Sequence, residues 1–291
     1  MLSIRPLHRL FAAEATGIDL SAPLAPDAVA EIDAAMDRYA VLVFRGQPLT
    51  QDQQMRMARS FGPLDLGLKK VKKQADRLQY AELADISNVD ADGRPVDRNH
   101  RKIVSNIANQ LWHSDSSFQK PAARYSMLSA VVIPSWGGET EFADMRAAYD
   151  ELPERMKEEI APLEAEHYVL HSRFLLGDED YTEEQRNAIP PAAWPIVRTH
   201  AGSGRPHLFI GVHARGILGM MVAEARMLLA DLQEHATQPQ FIYRHHWQAG
   251  DLVMWDNRCT LHRGRRYDLA EPRELRRTTT EDTDRTAAAA A

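Results

Sequence analysis

The second half of the chain is a succession of short apolar runs. YSMLSAVVI at residues 125–133 precedes the turn signal PSWGGE, and PIVRTH, HLFIG, FIYRHHW and DLVMW follow. Runs of this length, bounded by Gly, Pro and Ser, read as strands. Many short strands imply a β core, and a sandwich or barrel wrapped by a few helices is the simplest architecture. Jelly rolls in particular hold ligands between their sheets. The helices are legible too. PDAVAEIDAAMDRY at 26–39 spaces Val29, Ile32, Met36 and Tyr39 on one face ahead of a buried strand, VLVF, at 41–44. Thr50 and Gln53 form a capping box before QMRMARSF, whose Met55, Met57, Ala58 and Phe61 suit a buried stripe rather than a cofactor box. Residues 144–160 and 222–236 carry helical pattern, the latter with Leu228, Leu229 and Leu232 on one face.

Composition narrows the class. With 291 residues, 44% hydrophobic and 26% charged, the chain is that of an ordinary globular protein. It has no Gly-, Ser- or Pro-rich linker and no internal repeat, so residues 1–282 read as a single domain. The alanine-rich residues 283–291 read as a disordered or artificial tail. A net charge of −6 argues against a nucleic-acid binder, because phosphate backbones reward a basic face. One cysteine, Cys259, excludes an internal disulfide framework and fits a reducing compartment. The opening MLSIRPLHRLFAAEATGIDL is interrupted by charge and is not read as a signal peptide. No run of about eighteen apolar residues predicts a membrane span. Cytoplasm is the expected location.

Two stretches carry candidate chemistry. In LWHSDSSF, His113 and Asp115 stand two apart, a spacing that puts both on one face of a strand and within reach of one ion. A surface polar pair at a strand end is the alternative. In DLVMWDNRCTLHRGRRYDL, an apolar strand leads to His262, and the arginines after it call for something anionic nearby. Sequence spacing alone cannot pair these two stretches.

His113-x-Asp115, distant His262, Thr140 in the GGETEF turn and Arg273 eleven residues beyond His262 together resemble the taurine dioxygenase family of iron(II)- and 2-oxoglutarate-dependent dioxygenases. The segments VLVFRGQPL, ELADISNV, NQLWHSDSSF, PAARYSMLSAVV, TEFADMRAAYD, HSRFLLGD, RTHAGSGR and GDLVMWDNRCTLHRGRRYD are similar to its 2,4-dichlorophenoxyacetate dioxygenase branch. The resemblance covers essentially residues 4–280. It implies a mainly β fold with a double-stranded β-helix (jelly roll) core flanked by α-helices. It also implies a homo-oligomer.

The resemblance makes His113, Asp115 and His262 the catalytic iron(II) ligands. Two imidazoles and a carboxylate on one face leave three positions for 2-oxoglutarate and then dioxygen. The same donors also suit zinc, so a zinc hydrolase is one rival and a non-catalytic jelly-roll binding protein is another. Arg273 is implied as the fork that pairs the distal carboxylate of 2-oxoglutarate, with Thr140 as hydroxyl donor at that end. For Arg263, Arg265 and Arg266 a solvated strand-end charge is the preferred reading. Arg277 stands four after Arg273, on the same strand face, and is expected to pair the acid group of a small aryloxy acid substrate. Lys70, in LKKVK, is the weaker candidate for that contact. Asn109 is a substrate-side candidate or a turn-stabilising asparagine. His200 and His213 flank a predicted hairpin and either line the substrate pocket or are satisfied core histidines. Trp112 and Trp255 are expected to pack beside the ligands. The implied reaction consumes 2-oxoglutarate and dioxygen, with ascorbate as the reductant in vitro. It hydroxylates the carbon next to the substrate's carboxylate, and the resulting hemiacetal collapses to a phenol and glyoxylate beside succinate and carbon dioxide. Another anionic substrate, such as a sulfonate, an aryloxypropionate or a natural aryl acid, would meet the same arginine.

Overall fold

The computed structural model describes residues 1–67 and 77–283. Lys70 and the chain from residue 284 onward, the larger part of the expected tail, lie outside the described residues. The fold is mostly β with helices, and its strands form four separate sheets among the described residues, with no closed barrel. Seven strands make the large sheet, in the order Ser3–Pro6, Ala13–Thr16, Val41–Phe44, Leu252–Asp256, Ala123–Val132, Glu274–Glu281 and Ala84–Ser87. Three more, Ile242–His245, Thr140–Asp144 and Thr260–Gly264, form the small sheet, with Thr140–Asp144 central. A hairpin, Val197–Thr199 with Pro206–Leu208, and a sheet of Ala214–Ile217, Glu164–His167 and Ala192–Pro195 complete the set.

Burial explains the strand sequences. Leu252–Asp256 pairs on both sides, with Val41–Phe44 and with Ala123–Val132, and all five of its residues are buried. A strand covered on both faces reads as an unbroken apolar run rather than an alternating one, which is why VLVF and DLVMW look alike. The helix Pro26–Tyr39 buries Val29, Ile32 and Met36 against Leu42 and Phe44 of that sheet. The capping box is present: Gln53 N–H donates to Thr50 Oγ1 at 3.2 Å, and Thr50 N–H to Gln53 Oε1 at 2.8 Å. Its helix, Gln51–Arg59, buries Met55, Met57 and Ala58.

Two expectations need correction. The helical pattern over 144–160 is two helices, Met145–Asp150 and Glu154–Ile160, broken where Pro153 caps the second. A proline disfavours helical backbone at the residue before it, so the first helix ends short of Leu152. His113 and Asp115 do not share a regular strand: His113 makes one isolated bridge with His262, and Asp115 opens a turn. No helix among the described residues is long and apolar enough to cross a membrane.

Candidate active site

Two sequence-distant segments converge where the large and small sheets meet. His262 lies on Thr260–Gly264, opposite Phe142 on the central strand of the small sheet. Backbone bonds in both directions, His113 N–H to His262 O at 3.0 Å and the reverse at 2.8 Å, clamp His113 beside it. Asp115 follows two residues later. His262 Nε2 lies 3.6 Å from Asp115 Oδ2, and His113 Nε2 lies 3.9 Å from Asp115 Oδ1. The three offer one ligand atom each within 4.8 Å of one another, and all are buried.

The donor set fits a metal. His113 Nδ1 stands 2.7 Å from the carbonyl of Leu111, which can only accept, so Nδ1 carries the hydrogen and Nε2 keeps its lone pair. Burial lowers the pKa of His113, and Arg277 and Arg173 lower it further against the opposing pull of Asp115. His262 is held well below the ordinary value by burial, with His113 and Arg277 adding to it. Both imidazoles are therefore neutral, as ligation requires. Trp255 packs 4.7 Å from the His262 ring, ring centre to ring centre, and borders the cleft from the core, where it was expected.

A cleft opens beside the cluster, and Asn109, Thr140, Arg273 and Arg277 line it with His113 and His262. Thr140 Oγ1 accepts the indole N–H of Trp247 at 3.1 Å, so its own hydrogen is free to point elsewhere. Arg273 is buried. Its Nη2 donates to Gly138 O at 3.1 Å, its guanidinium lies 5.1 Å from the Tyr267 ring, and its Nε has no partner among the described residues. Burial lowers its pKa to about 10, Tyr267 opposing. No described carboxylate pairs with it. A desolvated guanidinium without a counter-ion is costly, and an anion entering the cleft relieves that cost. The wall behind it is backbone. Gly137 and Gly138 have φ of +73° and +76°, and a Cβ built on Gly138 would stand 3.0 Å from Arg273 Nε, while one on Gly137 would stand 2.1 Å from Arg266 O.

Arg277 faces the same cleft from Glu274–Glu281, four residues on, and its Nη1 donates to Asp115 Oδ1 at 2.6 Å. Asn109, half-buried in the short turn Ala108–Gln110, lines the cleft. His213 lies behind the ligands: its ring stands edge-on to His113 at 6.3 Å and to Phe118 at 4.9 Å. His200 is not brought to the cleft. Its Nε2 lies 2.9 Å from Asp256 Oδ2 in a separate buried network.

Of the arginines after His262, Arg263 and Arg265 are not simply solvated, while Arg266 is exposed. Arg263 Nε donates to Glu141 Oε2 at 2.7 Å, and Arg265 and Arg244 converge on the same buried carboxylate. Burial alone would raise the Glu141 pKa, but Arg263 and Arg244 hold it low. Arg265 and Tyr267 also line the cleft and were missed, Tyr267 because a tyrosine in an arginine-rich loop carries no periodic signal.

The sequence matches the family model described as Taurine catabolism dioxygenase TauD, TfdA family, over residues 3–279. It is 65% identical over 277 residues to the alpha-ketoglutarate-dependent 2,4-dichlorophenoxyacetate dioxygenase of Cupriavidus pinatubonensis, covering 95% of this chain and 96% of that one. It is 39% identical to the (S)-phenoxypropionate/alpha-ketoglutarate-dioxygenase of Sphingobium herbicidovorans, covering 93% and 91%. The crystal structure of AAD-2 in complex with Mn(II) and N-oxalylglycine superposes with a TM-score of 0.93 at 48% identity, covering 97% of this chain and 98% of that one. Over nearly its whole length, then, the chain belongs to the TauD/TfdA family of dioxygenases.

Proposed function

We propose that this protein is an iron(II)- and 2-oxoglutarate-dependent dioxygenase that hydroxylates the carbon beside the carboxylate of aryloxyacetates, releasing a phenol and glyoxylate with succinate and carbon dioxide. The observation that carries it is Arg273, a buried guanidinium without a described carboxylate partner, beside a buried His–Asp–His set. A hydrolytic zinc site would give that arginine and Thr140 nothing to bind in common. The 65% identity to a 2,4-dichlorophenoxyacetate dioxygenase supports the substrate class.

His113, Asp115 and His262 are the proposed ligands, and iron bound there, with dioxygen and 2-oxoglutarate, supplies the oxidising chemistry. The chain's own residues bind and aim. Arg273 takes the distal carboxylate of 2-oxoglutarate through its fork, each charge-assisted bond worth roughly 1.5–3 kcal/mol. The Thr140 hydroxyl, its oxygen already occupied by Trp247, donates to the same group. Arg277 pairs the substrate's acid group and so directs the adjacent methylene toward the ligand set. The half-buried Asn109 on the cleft wall assists on the substrate side, and Lys70 remains a proposed second cation for it. His213 borders the ligands and shapes the pocket behind them. No side chain is needed as a general base for the oxidative step.

The same reading takes residues 1–282 as one catalytic domain and the meeting of the large and small sheets as a double-stranded β-helix. It places the enzyme in the cytoplasm, which the single buried cysteine supports. It assigns no nucleic-acid partner, in line with the net charge of −6. A homo-oligomer is supported by the exposed apolar residues Leu218, Met221, Val222 and Met227.

The test is an aerobic reaction of metal-stripped protein resupplied with iron(II), ascorbate, 2-oxoglutarate and 2,4-dichlorophenoxyacetate, following succinate and phenol together. Coupled release of both, absent with zinc alone and with His262→Ala, is the expected result. Succinate without phenol would retain the dioxygenase and reject the substrate. No succinate with any aryl acid or sulfonate would reject the dioxygenase.

A further inference from the structure

Asp115 is gripped at both carboxylate oxygens. Arg277 Nη1 donates to Oδ1 at 2.6 Å, and Ser126 Oγ donates to Oδ2 at 2.7 Å. Behind Ser126 stands Asn257, 1% exposed, in the turn between the strands Leu252–Asp256 and Thr260–Gly264. Its Oδ1 accepts the backbone N–H of Asp115 at 3.1 Å and the indole N–H of Trp255 at 3.0 Å. Its Nδ2 donates to Ser126 Oγ at 2.9 Å, and its backbone carbonyl accepts Ser114 Oγ at 2.7 Å.

The chemistry of these groups fixes the direction of every bond. Two N–H donors at Oδ1 leave the amide only one orientation, so Nδ2 must face Ser126. A serine hydroxyl has a single hydrogen, and a carboxylate only accepts, so that hydrogen goes to Asp115 and the Thr279 hydroxyl, 3.0 Å from Ser126 Oγ, is left to donate to it. The amide thus reaches Asp115 twice, at its main chain and through Ser126 at its side chain. Through Trp255, packed on His262, it reaches the other ligand arm as well.

Resting on the reading of His113, Asp115 and His262 as metal ligands, we propose that Asn257 and Ser126 are positioning residues that restrain Asp115 from closing onto Arg277. Arg277 is the metal's competitor for this carboxylate. A guanidinium fork engages a freely rotating carboxylate with both oxygens, and a carboxylate so engaged turns away from the histidines. The Ser126 bond at Oδ2 blocks that rotation, and Asn257 keeps Ser126 aimed.

The experiment measures Mn(II) affinity of the purified full chain by titration with electron paramagnetic detection of free Mn(II). It compares wild type, Asp115→Ala, Ser126→Ala, Asn257→Ala, the double variant Ser126→Ala/Asn257→Ala and Ser126→Ala/Arg277→Gln, with a thermal melt of each. Ser126→Ala and Asn257→Ala are expected to bind Mn(II) roughly 10- to 100-fold more weakly, the range seen when groups supporting a ligand are removed. Both act through one carboxylate, so the double variant should lose little more than the worse single. Adding Arg277→Gln to Ser126→Ala should restore much of the affinity, a rescue that a packing role would not produce. Unchanged Mn(II) affinity in folded Ser126→Ala overturns the proposal, and that variant decides even where Asn257→Ala fails to fold. Wild type that binds no better than Asp115→Ala would instead remove the ligand assignment, and this proposal with it.

Discussion

Among the described residues, two buried clusters bring a histidine and an aspartate within 4.8 Å of a third donor: His113, Asp115 and His262, and His200, Asp256 and Cys259. Their hydrogen bonding differs. His200 Nδ1 accepts the backbone N–H of Ser203 at 3.0 Å, so its hydrogen sits on Nε2 and points at Asp256. His113 is wired the other way, with its hydrogen on Nδ1 and its lone pair inward. Asp256 is also spoken for, since Arg258 donates to Oδ1 from Nε at 2.9 Å and to Oδ2 from Nη2 at 2.6 Å. Burial pushes the Cys259 thiol up, away from the thiolate a metal needs. Distance does not distinguish the clusters. Tautomer does, and so does a cation that holds both oxygens of Asp256 where Arg277 holds only one of Asp115.

The contrast breaks most visibly under ligand deletion. His262→Ala should abolish turnover and Mn(II) binding while leaving the unfolding transition nearly unmoved. Asp256→Ala should cost about 3–5 kcal/mol, since Arg258 is left buried without its partner, and folded protein should still bind Mn(II). Metal titration and denaturant unfolding of both variants check this. Loss of metal binding without loss of stability in Asp256→Ala would erase the distinction.

Within the active cluster, the two arginines should separate by ligand. Arg273→Gln removes two charge-assisted bonds, which at about 3 kcal/mol together raises the KM for 2-oxoglutarate roughly 100-fold. Arg273→Lys should recover part of that, as a point charge without the fork. Arg277→Gln should raise the KM for the aryloxy acid by about 10- to 100-fold and move that for 2-oxoglutarate by much less. Steady-state kinetics with each substrate varied in turn would show whether the two effects cross over.

The most gradual effect concerns acid. His167 and His207 are buried, which lowers each to about 3. Between pH 6.5 and 3 the unfolded chain binds a proton at each that the native state refuses, so stability is full above pH 6.5 and falls as pH drops, by about 1.4 kcal/mol per unit and group. Asp256 adds a later limb. Burial would raise its pKa, but Arg258 and His200 hold it low, so its contribution is lost only as pH falls below about 4, where the unfolded carboxyl takes up its proton. His207→Phe should flatten the upper part of the curve and Asp256→Asn the lower, as followed by melting temperature against pH.

The grouping of His113, Asp115 and His262 was reached only through the family resemblance, because His-x-Asp is common and sequence spacing cannot pair it with a histidine so far along the chain. The strands were legible from apolar runs between turn signals. The break at Pro153 stood in the sequence as a proline inside a helical pattern, and it ends the first helix short. His200 was open between pocket and core because tautomer is set by Ser203 and Asp256, neither of which the local pattern around His200 reveals. The Asn257 node was invisible for a similar reason. Its partners Asp115, Ser126 and Trp255 come from separate strands and turns, and asparagine and serine recur too often in loops to announce a role.

The glycine pair at 137 and 138 has a consequence for how such a scaffold diverges. Behind Arg273, beyond one end of the cleft, the main chain of Gly137 and Gly138 presses on Arg266 and Arg273, so an added Cβ would stand 2.1 Å from Arg266 O or 3.0 Å from Arg273 Nε. The other end is walled by side chains, Asn109 and Arg277 among them, which exchange one at a time. Exchange is therefore channelled: the end lined by Asn109 and Arg277 can change one side chain at a time, while at 137 and 138 any side chain meets both a left-handed backbone and the neighbouring arginines.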